Sequence, residues 1–222
     1  MNRRITTIMA VAAALVVAAA LPAGADHAWG DSNGDGIGYH WPGTDPRTPG
    51  VVNAITATGW PSVEDAVNEW EGLSAPIDPF VAPSGPIEVR AKNGSAQWLG
   101  IAEIRISGGH ITAGRVTLNN LYKNSLTLNE WDHVLCQEIG HVLGLDHSHD
   151  TNSCMNDQIL SAPQPNTHDN QQLNIIYAHG DGGGGGGGDG GGGGGPDCNK
   201  NPQAGPCRNQ QGQWIVVHTF AR

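Results

Sequence analysis

A short stretch of the chain carries side chains that could bind a metal ion and move a proton. Residues 137–147 read QEIGHVLGLDH, in which the donors are Gln137, Glu138, His141 and His147. In a helix, side chains four residues apart lie one above the other, so residues 137 and 141 can share one ion. Glu138 would stand beside them, close enough to take a proton from water. The spacing therefore predicts a metal site with an adjacent general base.

The residues around these donors indicate how they would be positioned. Glycine adopts a positive φ readily, so Gly144 can end the helix and turn the chain to deliver His147 as a further ligand. The helix also has an apolar stripe, made of Trp131, Leu135, Ile139 and Val142. His141 points away from this stripe by roughly 100° or more, and Gln137 further still. We therefore expect both side chains to face a cleft; the alternative for His141 is a buried helical histidine.

This stretch resembles the metzincin signature H-E-x-x-H-x-x-G-x-x-H, with glutamine in place of the first histidine. Four positions match at the family's spacing, namely Glu138, His141, Gly144 and His147. Downstream, residues 153–155 read Ser-Cys-Met and are similar to the Met-turn of that clan. The resemblance extends over residues 61–179 and is closest to the matrixins and the snapalysins.

The resemblance implies a secreted zinc-dependent metalloendopeptidase acting on a protein or peptide substrate. Zn²⁺ would be held by His141, His147 and Gln137, and a fourth coordination position would stay open for water. Glu138 would be the catalytic residue that activates this water. The substrate would lie along the edge strand of the sheet, above the helix.

The glutamine at position 137 leaves three alternatives open. Gln137 can bind zinc weakly through its amide oxygen, although zinc prefers imidazole nitrogen or thiolate. His149, two residues beyond His147, can take its place as a ligand. In the third alternative the protein is a catalytically inactive secreted binding or structural module that has lost productive zinc. His133 is excluded as a substitute, because eight residues of helix place it ~12 Å along the axis from His141.

The N-terminus predicts export. Arg3 and Arg4 precede an apolar run from about Ile8 to Leu21, and residues 23–25 read Ala-Gly-Ala, a small-residue cleavage site. This is the layout of a signal peptide, and the run is shorter than the ~20 residues that span a bilayer. We expect a secreted, extracellular protein without membrane attachment after cleavage.

The chain divides into four segments by composition. We predict a signal peptide over 1–25, a metalloprotease domain over 26–179, a Gly-rich linker over 180–197 and a small disulfide-containing tail over 198–222. Glycine runs have no side chains to bury and form flexible linkers. The tail is too short to be stable alone, so we expect a disulfide-closed loop or hairpin that docks on the domain.

Four cysteines are present, and an even number in an exported chain favours disulfides over free thiols. Three connectivities are open, of which we prefer the two local ones, Cys136–Cys154 and Cys198–Cys207. The first would tie the helix to the Met-turn and stabilise the fold by ~3 kcal/mol.

The composition is acidic, with 21 Asp and Glu residues against 11 Lys and Arg and a formal net charge of −10. Such a balance argues against nucleic acid or an anionic membrane as partner. We expect a monomer. Residues 31–36 match the opening of a calcium loop through Asp31, Asn33 and Asp35, but Pro42 stands where a bidentate Glu belongs. An Asx-rich turn is the preferred interpretation there.

Periodicity and capping residues predict the elements. Helices are expected over 61–72 with Ser62 as N-cap, over 127–143 with a Thr127–Glu130 capping box, and over 166–179 with Asn166 or Thr167 as N-cap. Strands are expected over 86–91, 101–106 and 110–119, and residues 26–60 should be mostly loop. The fold class is therefore α+β, a mixed twisted sheet with an active-site helix, a Met-turn and a C-terminal helix.

Overall fold

A computed structural model describes residues 28–30, 38–95, 97–156, 158–159, 164–178, 212 and 214–221, with residues 217–221 described by their backbone alone. The expected signal peptide, the calcium-loop residues 31–36, the linker 180–197 and the Cys198–Cys207 bridge lie outside these residues. Within them, no helix has the length and apolar character needed to cross a membrane.

The described residues form one mixed sheet and three α-helices. The strands are β1 (Gly50–Asn53), β2 (Phe80–Val81), β3 (Ile87–Lys92), β4 (Trp98–Ser107), β5 (His110–Asn119) and β6 (Ile215–Ala221). The α-helices are α1 (Val63–Glu71), α2 (Leu128–Val142) and α3 (Thr167–Ile176), and a short 3₁₀ turn spans Asn120–Tyr122. The predicted α+β class is confirmed.

The sheet has the strand order β2-β1-β3-β5-β4-β6. Strands β1, β2, β3 and β5 run parallel to one another, whereas β4 is antiparallel to β5. The two longest strands, β4 and β5, are joined by a tight turn at Gly108 and Gly109, both with positive φ. Helix α2 packs against both strands of this hairpin.

The predicted caps are present at the helix starts. Ser62 accepts a hydrogen bond from the Asp65 backbone N–H, and Thr127 and Glu130 form a reciprocal capping box at α2. Asn166 is the N-cap of α3. These local interactions satisfy backbone donors that a helix leaves without partners at its start.

The apolar stripe predicted for α2 is buried in the core, together with Trp70 of α1. Trp131 of α2 also stacks edge-to-face with Trp60, with ring centroids 4.8 Å apart. Such aromatic pairs stabilise beyond the area that they bury. The stripe fixes the rotation of α2, and therefore the direction in which its other faces point.

Two segments join the sheet through partners that local sequence does not predict. The described part of residues 26–60 is mostly loop, as expected, but it also contains β1, which pairs in parallel with β3. The described part of the tail contains β6, which is a strand of the domain's own sheet and pairs with β4. The edge of β4, expected to be free for substrate, is therefore occupied by the C-terminal strand.

Candidate metalloprotease site

Aromatic side chains hold the C-terminal end of α2. Trp41 donates a hydrogen bond from Nε1 to the carbonyl of Val142 at 2.9 Å, and Tyr177 donates from its hydroxyl to the carbonyl of Leu143 at 2.7 Å. The last carbonyls of a helix have no partners within the helix itself. These two bonds satisfy them in the core and fix the point at which the chain leaves the helix.

Gly144 makes the turn that was predicted for it. Its φ is +105°, and a Cβ at this position would lie 2.5 Å from the carbonyl oxygen of Tyr39. The Gly144 carbonyl accepts a hydrogen bond from the Trp29 backbone N–H at 2.7 Å. Only glycine combines this backbone angle with this close approach. The N-terminal segment at Trp29 and Tyr39 therefore packs directly against the turn that leads to His147.

The structure brings His141 and His147 together. Their ring centroids lie 4.9 Å apart, and the Nε2 atom of each is buried. His141 Nδ1 donates a hydrogen bond to the Leu145 carbonyl at 2.8 Å. A donating Nδ1 leaves Nε2 as the basic nitrogen of a neutral imidazole, the form that binds metals. The hydrogen bond thus prepares His141 as a ligand through Nε2.

Gln137 is fixed by a contact that sequence reasoning missed. Its Nε2 donates a hydrogen bond to the main-chain carbonyl of Asn156 at 2.8 Å, and His133 Nε2 donates to the same oxygen at 3.1 Å. The other end of the Gln137 amide, Oε1, is buried and has no hydrogen-bond partner within the part of the chain that the structure describes. A main-chain carbonyl carries no sequence signal, so this contact could not be foreseen.

Glu138 lies against the sheet. A Cβ at Gly100 of β4 would approach Glu138 Oε1 to 2.6 Å, so the absence of a side chain at Gly100 makes room for the carboxylate. The side chains of Gln137, Glu138 and His141 are all 0% exposed. The expectation that Gln137 and His141 face a cleft is therefore wrong. The reason is that the rings of Trp29 and His147 cover His141, at centroid distances of 6.4 and 4.9 Å.

The Met-turn and the disulfide lie beneath the helix. Cys136 and Cys154 are bridged, as preferred from the sequence. Met155 is fully buried, and its Sδ occupies the space beside Gly140 that a Cβ there would fill. The Ser148 backbone N–H donates to the Met155 carbonyl at 2.9 Å. Helix, turn and His147 loop are thereby held as one unit.

Asp169 of α3 connects the Met-turn to the closing helix. Its Oδ2 accepts hydrogen bonds from the Ser153 hydroxyl at 2.6 Å and from the Asn166 backbone N–H at 2.7 Å. Burial raises the pKa of Asp169 above its ordinary value, and these two hydrogen bonds oppose the rise in pKa. The contact with Ser153 spans 16 residues of the chain, so local sequence patterns do not predict it.

His149, the alternative ligand, is exposed at the surface. Among the described residues, no group of three His, Cys, Asp or Glu side chains converges in a way that could hold a metal ion. The structure therefore does not bring His149 to the histidine pair. Of the predicted ligands, it brings together His141 and His147.

Comparison with known protein families gives a match to part of the chain. The matrixin family model matches residues 83–178, a span that contains β3 to β5, α2, the Met-turn and α3. The chain contains a matrixin-like domain. This match supports the metzincin-type fold inferred from the sequence and a domain of the metalloprotease type.

Solved structures of myroilysin are also similar to the chain. One, at 16% sequence identity and a TM-score of 0.41, matches 63% of this chain and 96% of its own. Another, at 14% identity and a TM-score of 0.43, matches 72% of this chain and 97% of its own. Comparison with curated proteins gave no match.

Proposed function

We propose that the protein is a secreted zinc-dependent endopeptidase whose metal is held by His141, His147 and Gln137. The observation that carries this proposal is the orientation of Gln137. Its amide nitrogen is held by the Asn156 carbonyl, so its buried Oε1 points away from that contact without a hydrogen-bond partner among the described residues. A buried carbonyl without a partner is costly, and a bound cation would satisfy it.

The chemistry of the donors fits zinc in part. Two neutral imidazoles are preferred zinc ligands, whereas an amide oxygen is a weaker one. The i, i+4 spacing of residues 137 and 141 places their side chains within reach of one ion. We therefore expect a site that binds zinc less tightly than one with three imidazoles.

Within this site, Glu138 is the proposed general base. Zinc, when bound, would supply Lewis-acid polarisation of the scissile peptide carbonyl. The Glu138 carboxylate would take the proton of the attacking water at Oε1 and pass it to the leaving amine. Its position against Gly100 directs this carboxylate towards β4, the strand along which an extended substrate would pair.

Export is part of the proposal. The N-terminal sequence has the layout of a signal peptide, and the described domain contains a buried disulfide between Cys136 and Cys154. Disulfides persist in oxidising compartments outside the cytosol. Both features support an extracellular location.

The test uses the purified full-length chain and its Glu138→Gln variant. We expect zinc by metal analysis, cleavage of a denatured protein substrate that a chelator abolishes, and at least a ~100-fold lower rate in Glu138→Gln. The matched control is Glu71→Gln, at an exposed position at the end of α1, which should leave the rate unchanged.

The outcome that contradicts the proposal is equally specific. A chain that remains metal-free in the presence of zinc and acquires zinc only after Gln137→His would support the alternative, a non-catalytic module with the same fold. Cleavage that is insensitive both to the chelator and to Glu138→Gln would point to a contaminating protease.

A further inference from the structure

The C-terminal strand β6 pairs along the outer edge of β4. The pairing is antiparallel and extends from Ile104 opposite Ile215 to Trp98 opposite Ala221, with two irregularities in register. An edge strand offers one row of backbone donors and acceptors, and only one further strand can use it at a time. Any external extended peptide would therefore compete with β6 for β4.

This edge is the one that borders the candidate site. Gly100 of β4 is in contact with Glu138 and is paired with Phe220 of β6. The backbone of β6 thus passes the level of the proposed general base. It occupies the position in which an extended substrate would have to lie to present a peptide bond to Glu138.

Side-chain contacts at its start attach β6 to the domain. The ring of Trp214 lies under the guanidinium groups of Arg105 and Arg115, whose Cζ atoms are 4.5 and 3.8 Å from its centroid. Cation–π contacts of this kind contribute ~0.5–2 kcal/mol each. Ile215 is buried at 4% exposure, whereas its neighbour Val216 is 52% exposed. At the start of the strand, Ile215 is therefore anchored in the core, whereas Val216 faces solvent.

We propose that β6 is a built-in ligand of the β4 edge, which keeps an external peptide out until the strand leaves. This inference rests on the peptidase function proposed above and describes its regulation. The sequence predicts a glycine-rich linker before the tail, in which residues 182–188 and 190–195 are all glycine. Such a tether allows the strand to leave and return, and it keeps the local concentration of β6 in the millimolar range.

The experiment compares two neighbouring substitutions in the full-length chain. Ile215→Asp places a charge on the buried face of β6 and should release the strand, whereas Val216→Asp places the same charge on the exposed face and should leave it docked. The probe is a fluorescein-labelled peptide with the sequence of residues 214–221, WIVVHTFA. Hydrogen exchange of the β4 amides reports release, and fluorescence anisotropy reports binding of the probe.

We expect faster exchange in β4 and at least tenfold tighter probe binding for Ile215→Asp than for wild type, with Val216→Asp unchanged from wild type. The peptidase rate of Ile215→Asp should rise in parallel. Probe binding without cleavage by any variant would contradict the peptidase function and leave the docking of β6 supported.

Three results would overturn the inference. The first is faster exchange in β4 without any gain in probe binding. The second is unchanged exchange, since the burial of Ile215 would then not hold the strand. The third is loss of the cooperative unfolding transition of the whole domain in Ile215→Asp, which would identify β6 as an integral strand of the core. None of the three bears on whether the wild-type chain cleaves peptides.

Discussion

At the scale of single residues, position 137 is where the chain departs from the metzincin signature, and it belongs to the proposed zinc site. Glutamine there has a donor and an acceptor, and the structure assigns the donor to the Asn156 carbonyl at 2.8 Å. The acceptor is thereby left to face the other way. An imidazole at the same position could donate to Asn156 with one nitrogen and offer the other to a metal. We therefore expect glutamine and histidine at this position to differ mainly in their affinity for zinc.

We therefore expect Gln137→His to bind zinc at least about tenfold more tightly than wild type, because imidazole nitrogen is a better zinc ligand than an amide oxygen. Competition with a fluorescent chelator measures the dissociation constant. Gln171→His, at an exposed position of α3, is the matched control and should not change it. Equal affinities for wild type and Gln137→His would remove position 137 from the ligand set.

Spacing along one helix predicts the candidate residues of the site but not their surroundings. The positions of His141 and Glu138, the turn at Gly144 and the Cys136–Cys154 bridge follow from local sequence, and the last two are present. The burial of His141 does not follow from local sequence, because it depends on Trp29, more than a hundred residues earlier in the chain. Contacts of that range carry no periodic signal.

At the scale of elements, the end of α2 is the most constrained point near the site. Gly144 has a φ of +105° and lies directly against the backbone of the Tyr39 segment. Any side chain there must strain the backbone and also displace that segment. His147 follows three residues later, so the same movement would alter the approach of His147 to His141.

Gly144→Ala should accordingly destabilise the protein by about 2–4 kcal/mol, because backbone strain and steric overlap add. Gly108→Ala separates the two effects, since Gly108 has a φ of +58° but open space around the added Cβ. Gly108→Ala should destabilise the protein by about 1–2 kcal/mol. Urea unfolding measures both values, and equal losses would mean that the contact with Tyr39 is not limiting.

Some elements can be predicted from local sequence and others cannot. Each capping box is encoded by four consecutive residues, and both the Thr127–Glu130 and the Asn166 caps are found. Strand β1 has four residues between proline- and glycine-rich loops, and it is a strand because β3 lies beside it. The pairing of β6 with β4 likewise depends on a distant partner. Strand propensity alone cannot choose such a partner.

At the scale of the whole molecule, Asp169 joins three parts of the fold. It closes the capping box of α3 through the Asn166 N–H and binds the Ser153 hydroxyl of the Met-turn. Ser153 precedes Cys154, which is bridged to Cys136 on α2. The closing helix, the Met-turn and the active-site helix are therefore connected through one buried carboxyl group, and its protonation affects the stability of all three.

Burial raises the pKa of Asp169 above its ordinary value of 3.8. The folded state therefore binds this proton more tightly than the unfolded state does. The contribution of Asp169 to the free energy of unfolding then falls as the pH rises above 3.8.

Asparagine keeps an oxygen that accepts both hydrogen bonds but does not titrate. We expect the stability of wild type relative to Asp169→Asn to decrease from pH 3 towards neutral pH and then to level off. Urea unfolding of both proteins across this range measures the difference in the free energy of unfolding. A difference that is constant or grows with pH would show that burial does not raise the pKa of Asp169. Asp169 acts on stability through its hydrogen bond with Ser153. We therefore expect Asp169→Asn to leave the zinc affinity unchanged.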